Sequence, residues 1–91
     1  MPLSIGQEAS ILCKVQPGPF SDEPLVTIES LDGPVSGFVN TQELVEGPDG
    51  ETRVRGVVRR LDANVVEVWI RGSFFTTNGL AHVPREMALA A

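Results

Sequence analysis

Short apolar runs separated by clusters of Gly, Pro, Asn and Asp are the sequence feature that most constrains the fold. The clusters occupy residues 16–19, 31–34, 47–50, 62–64 and 78–79. Apolar runs of this length between turn residues are typical of β-strands, and their repeated spacing predicts an all-β sandwich or barrel. We expect a small barrel of roughly five to seven strands with one or two short helical turns.

The length of the chain limits the number of domains. Its 91 residues can bury one modest core but not two independent ones, so we expect residues 1–91 to form a single domain. No run approaches the roughly 18 apolar residues of a membrane-spanning helix, and residues 1–6 lack the features of a secretory signal. The single cysteine, Cys13, fits a reducing compartment. The sequence therefore predicts a cytoplasmic protein without membrane contact.

Alternation of apolar and polar residues predicts the first strands. A strand over residues 8–16 would turn its odd-numbered side chains from Ala9 to Val15, including Cys13, toward the core. A second run, residues 25–30, turns at Asp32-Gly33 and returns over residues 35–40.

Helical turns and a late hairpin are predicted from local signals. Asn40 and Glu43 have the spacing of a capping box, which favours one short helical turn. Asn78-Gly79 predicts a tight hairpin that would place Phe75 opposite His82. Pro84 at a helix start predicts a short C-terminal helix.

The chain contains two similar stretches, Gly37-Phe-Val-Asn-Thr-Gln-Glu-Leu and Gly79-Leu-Ala-His-Val-Pro-Arg-Glu-Met. Duplication of a three-strand unit or convergent strand-to-helix chemistry would each explain this internal similarity.

Charge is divided unevenly along the chain, whose net charge is -5. Residues 1–51 hold nine acids against Lys14 alone, a balance of -8. Residues 52–91 hold six arginines against three acids, a balance of +3. Such asymmetry indicates either attraction between the halves of one fold or an anionic partner for the basic half.

The basic residues concentrate on one predicted hairpin. Residues 53–72 contain five of the seven basic residues and the only tryptophan. Alternation places the arginines and the indole on one side of the hairpin and Val and Ile on the buried side. The outward set includes Arg53, Arg55, Arg59, Trp69 and Arg71, together with Val57, Val65 and Glu67.

A three-residue loop at 62–64, with Asn64 left-handed, aligns the two buried sets of this hairpin. The resulting register pairs Val58 with Val68 and Val57 with Trp69. It also places Arg59 opposite Glu67, and Arg55 opposite Arg71. Two arginines that face each other across a strand pair are mildly destabilising, so an anionic ligand between them would offset their repulsion.

Two interpretations of this face remain open at the level of sequence. An aromatic ring among arginines suits a single-stranded nucleic acid, whose bases stack on the ring while guanidinium groups meet the phosphates. Alternatively, the aliphatic parts of the arginine side chains cover the ring while their guanidinium groups stay in water. The acidic half of the chain then balances their charge.

Three further aromatic side chains are candidates. His82 could stack a base or be a half-exposed packing residue. Phe38 could join a surface patch or the core. Phe20, in the Pro-rich segment 17–24, could plug one end of the fold or project as a contact.

Catalytic chemistry is not expected from this inventory. Cys13 and His82 form the only available combination of nucleophile and base, and Cys13 falls on a predicted buried face. No Cys/His cluster has zinc-ligand spacing and no phosphate-binding loop is present. We therefore expect no enzyme activity, no metal and no cofactor.

The order of elements resembles the S1-type members of the OB-fold class. Residues 5–9, the stretch from Val35 to Asn40 leading to Glu43-Leu44, and the strands at 53–62 and 65–70 follow the five-strand order of that family. The resemblance implies binding of single-stranded RNA on the face of strands 2 and 3, with Phe38 at the matching aromatic position. SH3-like barrels, which recruit proteins, have the same strongly bent short strands and short helical turn.

The expected function is therefore a non-catalytic binding module for single-stranded RNA or DNA. The expected contacts are Arg53, Arg55, Arg59, Trp69, Arg71, Phe38 and His82. The alternative is a module that binds another protein, or a second copy of itself, through an interface centred on Trp69.

Overall fold

The computed structural model describes residues 3–75 and 78–90, which form two antiparallel β-sheets. This confirms the all-β prediction. The strands are β1 (Glu8–Leu12), β2 (Lys14–Phe20), β3 (Glu23–Ser30), β4 (Gly33–Phe38), β5 (Leu44–Glu46), β6 (Thr52–Leu61), β7 (Val65–Trp69), β8 (Ser73–Phe74), β9 (Leu80–Pro84) and β10 (Ala88–Ala90). Two 3-10 turns, Thr41–Glu43 and Arg85–Met87, precede β5 and β10. None of the helical segments in the described ranges is long and apolar enough to cross a membrane.

The first sheet has the order β10-β1-β6-β7-β9, and β5 also pairs with β6. The second sheet has the order β2-β3-β4-β8. Alternate residues of both sheets meet in one apolar core, in which Ile11, Ile28 and Ile70 are the largest fully buried side chains. The inward sets predicted from alternation for β6 and β7 are buried, because these strands lie over the second sheet.

The chain changes sheets at Cys13. The single strand predicted for residues 8–16 is two strands, β1 in the first sheet and β2 in the second. Ala9 and Ile11 are fully buried and Cys13 nearly so, as predicted, whereas Val15 is exposed. The prediction for Val15 was wrong because β2 is the edge strand of its sheet and extends beyond the core. Its two prolines protect that edge from further pairing.

A β-bulge sets the register of the β6–β7 hairpin. Val58 pairs with Val68 as predicted, but the next pair is Arg60 with Glu67, and Arg59 is the extra residue of the bulge. The placement of Arg59 opposite Glu67 was wrong. The Asp62 N–H donates to the Val65 carbonyl, so the loop is one residue shorter than predicted. The bulge compensates for that difference.

A left-handed Asn64 was also wrong, because positive φ within the described residues is confined to glycines.

The 3-10 turns confirm one local prediction and correct another. Asn40 caps the first turn, where its Oδ1 accepts a hydrogen bond from the Gln42 N–H at 2.9 Å. The predicted C-terminal helix is instead the second 3-10 turn followed by β10, because pairing with β1 satisfies the backbone of residues 88–90. Ala91, the end of the predicted helix, lies outside the described residues.

The hairpin predicted at Asn78-Gly79 was wrong. β8 pairs with β4 in the second sheet, while β9 pairs with β7 in the first. His82 therefore lies opposite Glu67 and not opposite Phe75. Thr76 and Thr77 of the predicted hairpin lie outside the described residues.

The two similar sequence stretches occupy equivalent places in the fold. The first contains the end of β4, the first 3-10 turn and the first residue of β5, and the second contains β9 and the second 3-10 turn and is followed directly by β10. Leu44 of β5 pairs with Val54 of β6, and Ala88 of β10 pairs with Ile11 of β1. Because β1 and β6 pair with each other through Ile11 and Val54, the halves are related by an approximate two-fold axis at that pair.

Arg53 is buried, with 5% of its surface exposed, and its predicted place on an exposed face was wrong. Its Nε donates to Ser10 Oγ at 3.0 Å, and one terminal nitrogen donates to the Ser10 and Met87 carbonyls. The other terminal nitrogen lies 3.0 Å from a carboxylate oxygen of Glu51. These bonds tie β1, β6 and the second 3-10 turn together, because a guanidinium can donate in several directions at once.

Replacement of Arg53 by lysine should destabilise the fold by about 2–4 kcal/mol, because an ammonium cannot reproduce the planar set of bonds and leaves buried acceptors unpaired. Urea unfolding measures this free energy. The matched control is Arg55→Lys, an exposed position on the same strand, which should change stability by less than about 0.5 kcal/mol. Equal losses in the two variants would contradict a structural role for Arg53.

Acid should weaken the contact between Glu51 and Arg53. The backbone N–H of Glu51, the N–H of Asp49 and the Arg53 guanidinium lower the pKa of the Glu51 carboxyl from its usual 4.5. A carboxyl with a lower pKa in the folded state stabilises the protein above pH 4.5, and this stability is lost as pH falls through the folded pKa. The urea midpoint measured against pH should therefore fall less steeply below pH 4.5 for Glu51→Gln than for the wild type. Identical slopes would contradict the contribution of Glu51.

Candidate binding face on the first sheet

The outer face of the first sheet carries a row of apolar side chains centred on Trp69. Val57, Trp69 and Leu80 lie side by side across β6, β7 and β9. The pairing of Val57 with Trp69 confirms that part of the predicted register. Trp69 is half-buried, so one part of the indole packs on the sheet and another part meets solvent.

A groove of about 300 Å³ runs beside this row, and we call it the Arg–Trp groove. It is lined by Glu8, Glu43, Arg55, Gly56, Val57, Trp69 and Arg71. Three of the predicted contacts, Arg55, Trp69 and Arg71, are thus brought together. Arg55 and Arg71 do not form the predicted ladder pair, because β7 ends at Trp69.

The two arginines of the groove are exposed, and within residues 3–75 and 78–90 neither has a carboxylate oxygen within 4.0 Å. Their guanidinium groups are therefore available to an external anion. This differs from Arg53, whose donors are used inside the fold.

The indole of Trp69 is held in place by the segment that precedes β9. Its Nε1–H donates to the Asn78 carbonyl at 3.1 Å. Gly79 lies against the ring, with φ at +89° and its carbonyl bonded to the Ile70 N–H. A Cβ atom at position 79 would lie 2.5 Å from the Ile70 carbonyl oxygen and 3.1 Å from the indole nitrogen. The ring is thereby fixed before any ligand arrives.

Two carboxylates also line the Arg–Trp groove, and the sequence did not predict them there. Glu8 enters because β1 pairs with β6, so that Glu8 lies opposite Val57. Glu43 enters as the last residue of the first 3-10 turn. The capping signal at Asn40 located this turn along the chain, but its approach to Arg55 depends on tertiary contacts.

The remaining predicted contacts lie elsewhere. Arg59 is exposed at the bulge, outside the lining of the Arg–Trp groove. Arg60, which follows it, pairs with Glu67 in the ladder and lines a separate groove of about 200 Å³ with His82.

Both ring nitrogens of His82 face carboxylates. Nε2 lies 2.7 Å from Glu67 Oε2, and Nδ1 lies 3.3 Å from Asp32 Oδ2. The ring is therefore engaged between β7 and the β3–β4 turn. His82 is half-exposed and lies outside the lining of the Arg–Trp groove.

Phe38 lies on β4 of the second sheet, outside the lining of the Arg–Trp groove. It is half-buried on the outer side of β4, and its ring meets that of Phe75 edge to face at 5.5 Å between centroids. Phe20 projects from the end of β2 with 64% of its surface exposed. It therefore does not plug the fold.

The approximate two-fold axis gives the Arg–Trp groove a counterpart on the second sheet. This second groove, of about 160 Å³, is lined by Leu12, Cys13, Lys14, Thr27, Glu29 and Met87. Lys14 pairs with Thr27 as Val57 pairs with Trp69. Thr27 thus stands in the place of Trp69. Two residues further on, Glu29 stands in the place of Arg71, so the charge is reversed.

Cys13 is the only thiol in the chain. Burial raises the pKa of this thiol to about 11, with a smaller opposing effect from Arg53. At neutral pH the sulfur is therefore protonated. No set of three or more His, Cys, Asp or Glu side chains with metal-binding geometry occurs within residues 3–75 and 78–90.

No protein-family model, curated protein or solved structure matches the chain.

Replacement of Gly79 by alanine should destabilise the protein by about 1–3 kcal/mol and shift the fluorescence of Trp69 to longer wavelength, because a Cβ at this φ meets both the backbone and the indole. Gly33→Ala is the matched control, since Gly33 has φ at +106° but no atom within 4 Å of its added Cβ. That variant should lose stability without a fluorescence shift. Unchanged Trp69 emission in Gly79→Ala would contradict the clamping of the ring.

Proposed function

We propose that the protein is a non-catalytic binding module that holds a single-stranded nucleic acid in the Arg–Trp groove. One observation carries the proposal. A fixed, half-exposed indole shares a groove with two arginines that have no ion-pair partner among the described residues. Aromatic rings that stack bases and arginines that meet phosphates are the usual contacts of single-stranded nucleic acids.

The groove suits one nucleotide at a time. A base stacks on the exposed part of Trp69, and Arg55 and Arg71 contact the adjacent phosphates. Glu8 and Glu43 accept hydrogen bonds from exocyclic amino groups or sugar hydroxyls. The carboxylates also limit binding to ligands that offer such donors, because they would repel a phosphate placed against them.

We further propose that the two sheets close into a small barrel of the OB or SH3-like kind, and that the protein works in the cytoplasm. The closure is supported by the direct passage of the chain at Cys13 from β1 in the first sheet to β2 in the second. It is also supported by the hydrogen bond from the Leu31 N–H to the His82 carbonyl, which joins the second sheet to the first at 2.8 Å. A small barrel with an aromatic and basic face is a common support for single strands.

A non-catalytic role is supported by the chemistry of Cys13. A thiol with a pKa of about 11 is a poor nucleophile at neutral pH, because little thiolate is present.

Affinity for a short single-stranded RNA should fall about sevenfold for a fourfold rise in salt, because two phosphate contacts release counterions with a slope of roughly 0.7 each. Fluorescence anisotropy of a labelled strand measures this. Arg55→Gln or Arg71→Gln should lower affinity and halve the salt slope. Arg60→Gln, which removes an exposed arginine from outside the groove, should change affinity much less.

Replacement of Trp69 by alanine should weaken binding by about 1–3 kcal/mol, the usual value of one base stacked on an aromatic ring. Trp69→Phe should keep most of the affinity, because it retains a ring at the same place. The same titration with single-stranded DNA tests the sugar contact. No binding of either strand at low salt would refute the proposed function.

A further inference from the structure

The outer face of the second sheet carries an exposed apolar patch, which we call the Phe face. Its members are Phe20, Leu25, Phe38 and Phe75. Leu25 pairs with Phe38, and Phe75 donates its backbone N–H to the Ser36 carbonyl, beside Phe38. Phe20 and Phe75 are 64% and 62% exposed. Contiguous exposed aromatic residues on a sheet mark an interaction surface more often than an ordinary solvated face.

The Phe face is bordered mainly by carboxylates. Glu23 and Glu29 project from the same side of β3 as Leu25, since alternate residues share a face of the sheet. Lys14 is the only basic residue on this side within the described strands of the sheet. Carboxylates at the border disfavour the phosphates of a nucleic acid. The Phe face and its carboxylates instead suit a partner that presents an apolar group flanked by guanidinium groups.

The same chain presents that chemistry on its other sheet. Trp69 is half-exposed and shares its groove with Arg55 and Arg71. At the equivalent place on the second sheet, Thr27 leaves room where Trp69 would stand, and Glu29 opposes the charge of Arg71. The indole and Arg71 of one face therefore match the smaller Thr27 side chain and the Glu29 carboxylate of the other.

We propose that the Phe face and the adjoining second groove bind the Arg–Trp groove of a second copy of the chain. In this contact, Trp69 of one copy packs beside Thr27 and the Phe face of the next, and Arg71 meets Glu29. The contact joins two different surfaces. It therefore leaves one free face of each kind at the ends of any pair, and assembly continues until a ring closes or a filament grows.

The inference goes beyond the proposed function, although both use Trp69. A nucleic-acid strand and a second copy compete for the same groove. Association should therefore decrease when single-stranded RNA is added, if RNA binds. The experiments below contain no nucleic acid, so their outcome does not depend on the proposed function.

Mixing of two complementary variants tests the mode of association. Phe20→Ser/Phe75→Ser removes the Phe face, and Trp69→Ala/Arg71→Glu removes the Arg–Trp surface. Each variant alone should sediment as a monomer at concentrations at which the wild type associates. An equimolar mixture should form a complex of twice the 9.8-kDa chain mass and no larger, since only one matching pair of faces remains. Circular dichroism of each variant verifies that the fold is retained.

Charge exchange tests the pair of Glu29 and Arg71 directly. Glu29→Arg or Arg71→Glu alone should weaken association at least about tenfold, because like charges then face each other. Both substitutions in one chain should restore it. Both residues are exposed, so neither change removes a buried contact.

Three results would overturn the proposal. The wild type could remain a monomer throughout the concentration series. The Trp69→Ala/Arg71→Glu variant could associate as well as the wild type, which would show that two Phe faces meet each other. The charge exchange could fail to restore association.

Discussion

The antiparallel pairing of β1 with β6 is the interaction on which the remaining structure depends. Ile11 and Val54 are paired at its centre and are fully buried. Each of the two strands also pairs with one short strand, β10 or β5, and Arg53 fastens both to the second 3-10 turn. Because the apolar sides of β1 and β6 occupy the core, their outer sides must carry the polar chemistry. The Arg–Trp groove is built on that outer side.

Local patterning was sufficient for the apolar sides of the β6–β7 hairpin and for part of the site. Alternation identified the buried and outward sets of β6 and β7, and the pair of Val57 with Trp69 followed from matching those sets. It also placed Arg55, Trp69 and Arg71 on one surface. These results depend only on neighbours within one hairpin, where the core requirement leaves little freedom.

Apart from the bulge at Arg59 and the turn at Asn64, the parts that failed depend on contacts between distant segments. Arg53 obeys the alternation, yet Ser10 and the Met87 carbonyl cover it from distant parts of the chain. Asn78-Gly79 has the composition of a tight turn, but the strands around it belong to different sheets. Propensity describes a local preference, and the burial of a whole sheet outweighs it. Glu8 and Glu43 also line the groove because of contacts between distant segments, which local sequence patterns do not reveal.

The strand arrangement also makes each half of the chain incomplete. β5 follows the strands of the first half but pairs with β6 of the second, while β10 follows the second half and pairs with β1 of the first. A chain cut in the exposed turn at 47–50 would yield two fragments that each carry a strand required by the other. Neither fragment could satisfy its own sheet edges, so the halves gain their order together. Reassembly of the separated pieces would be the natural route back to the native sheets.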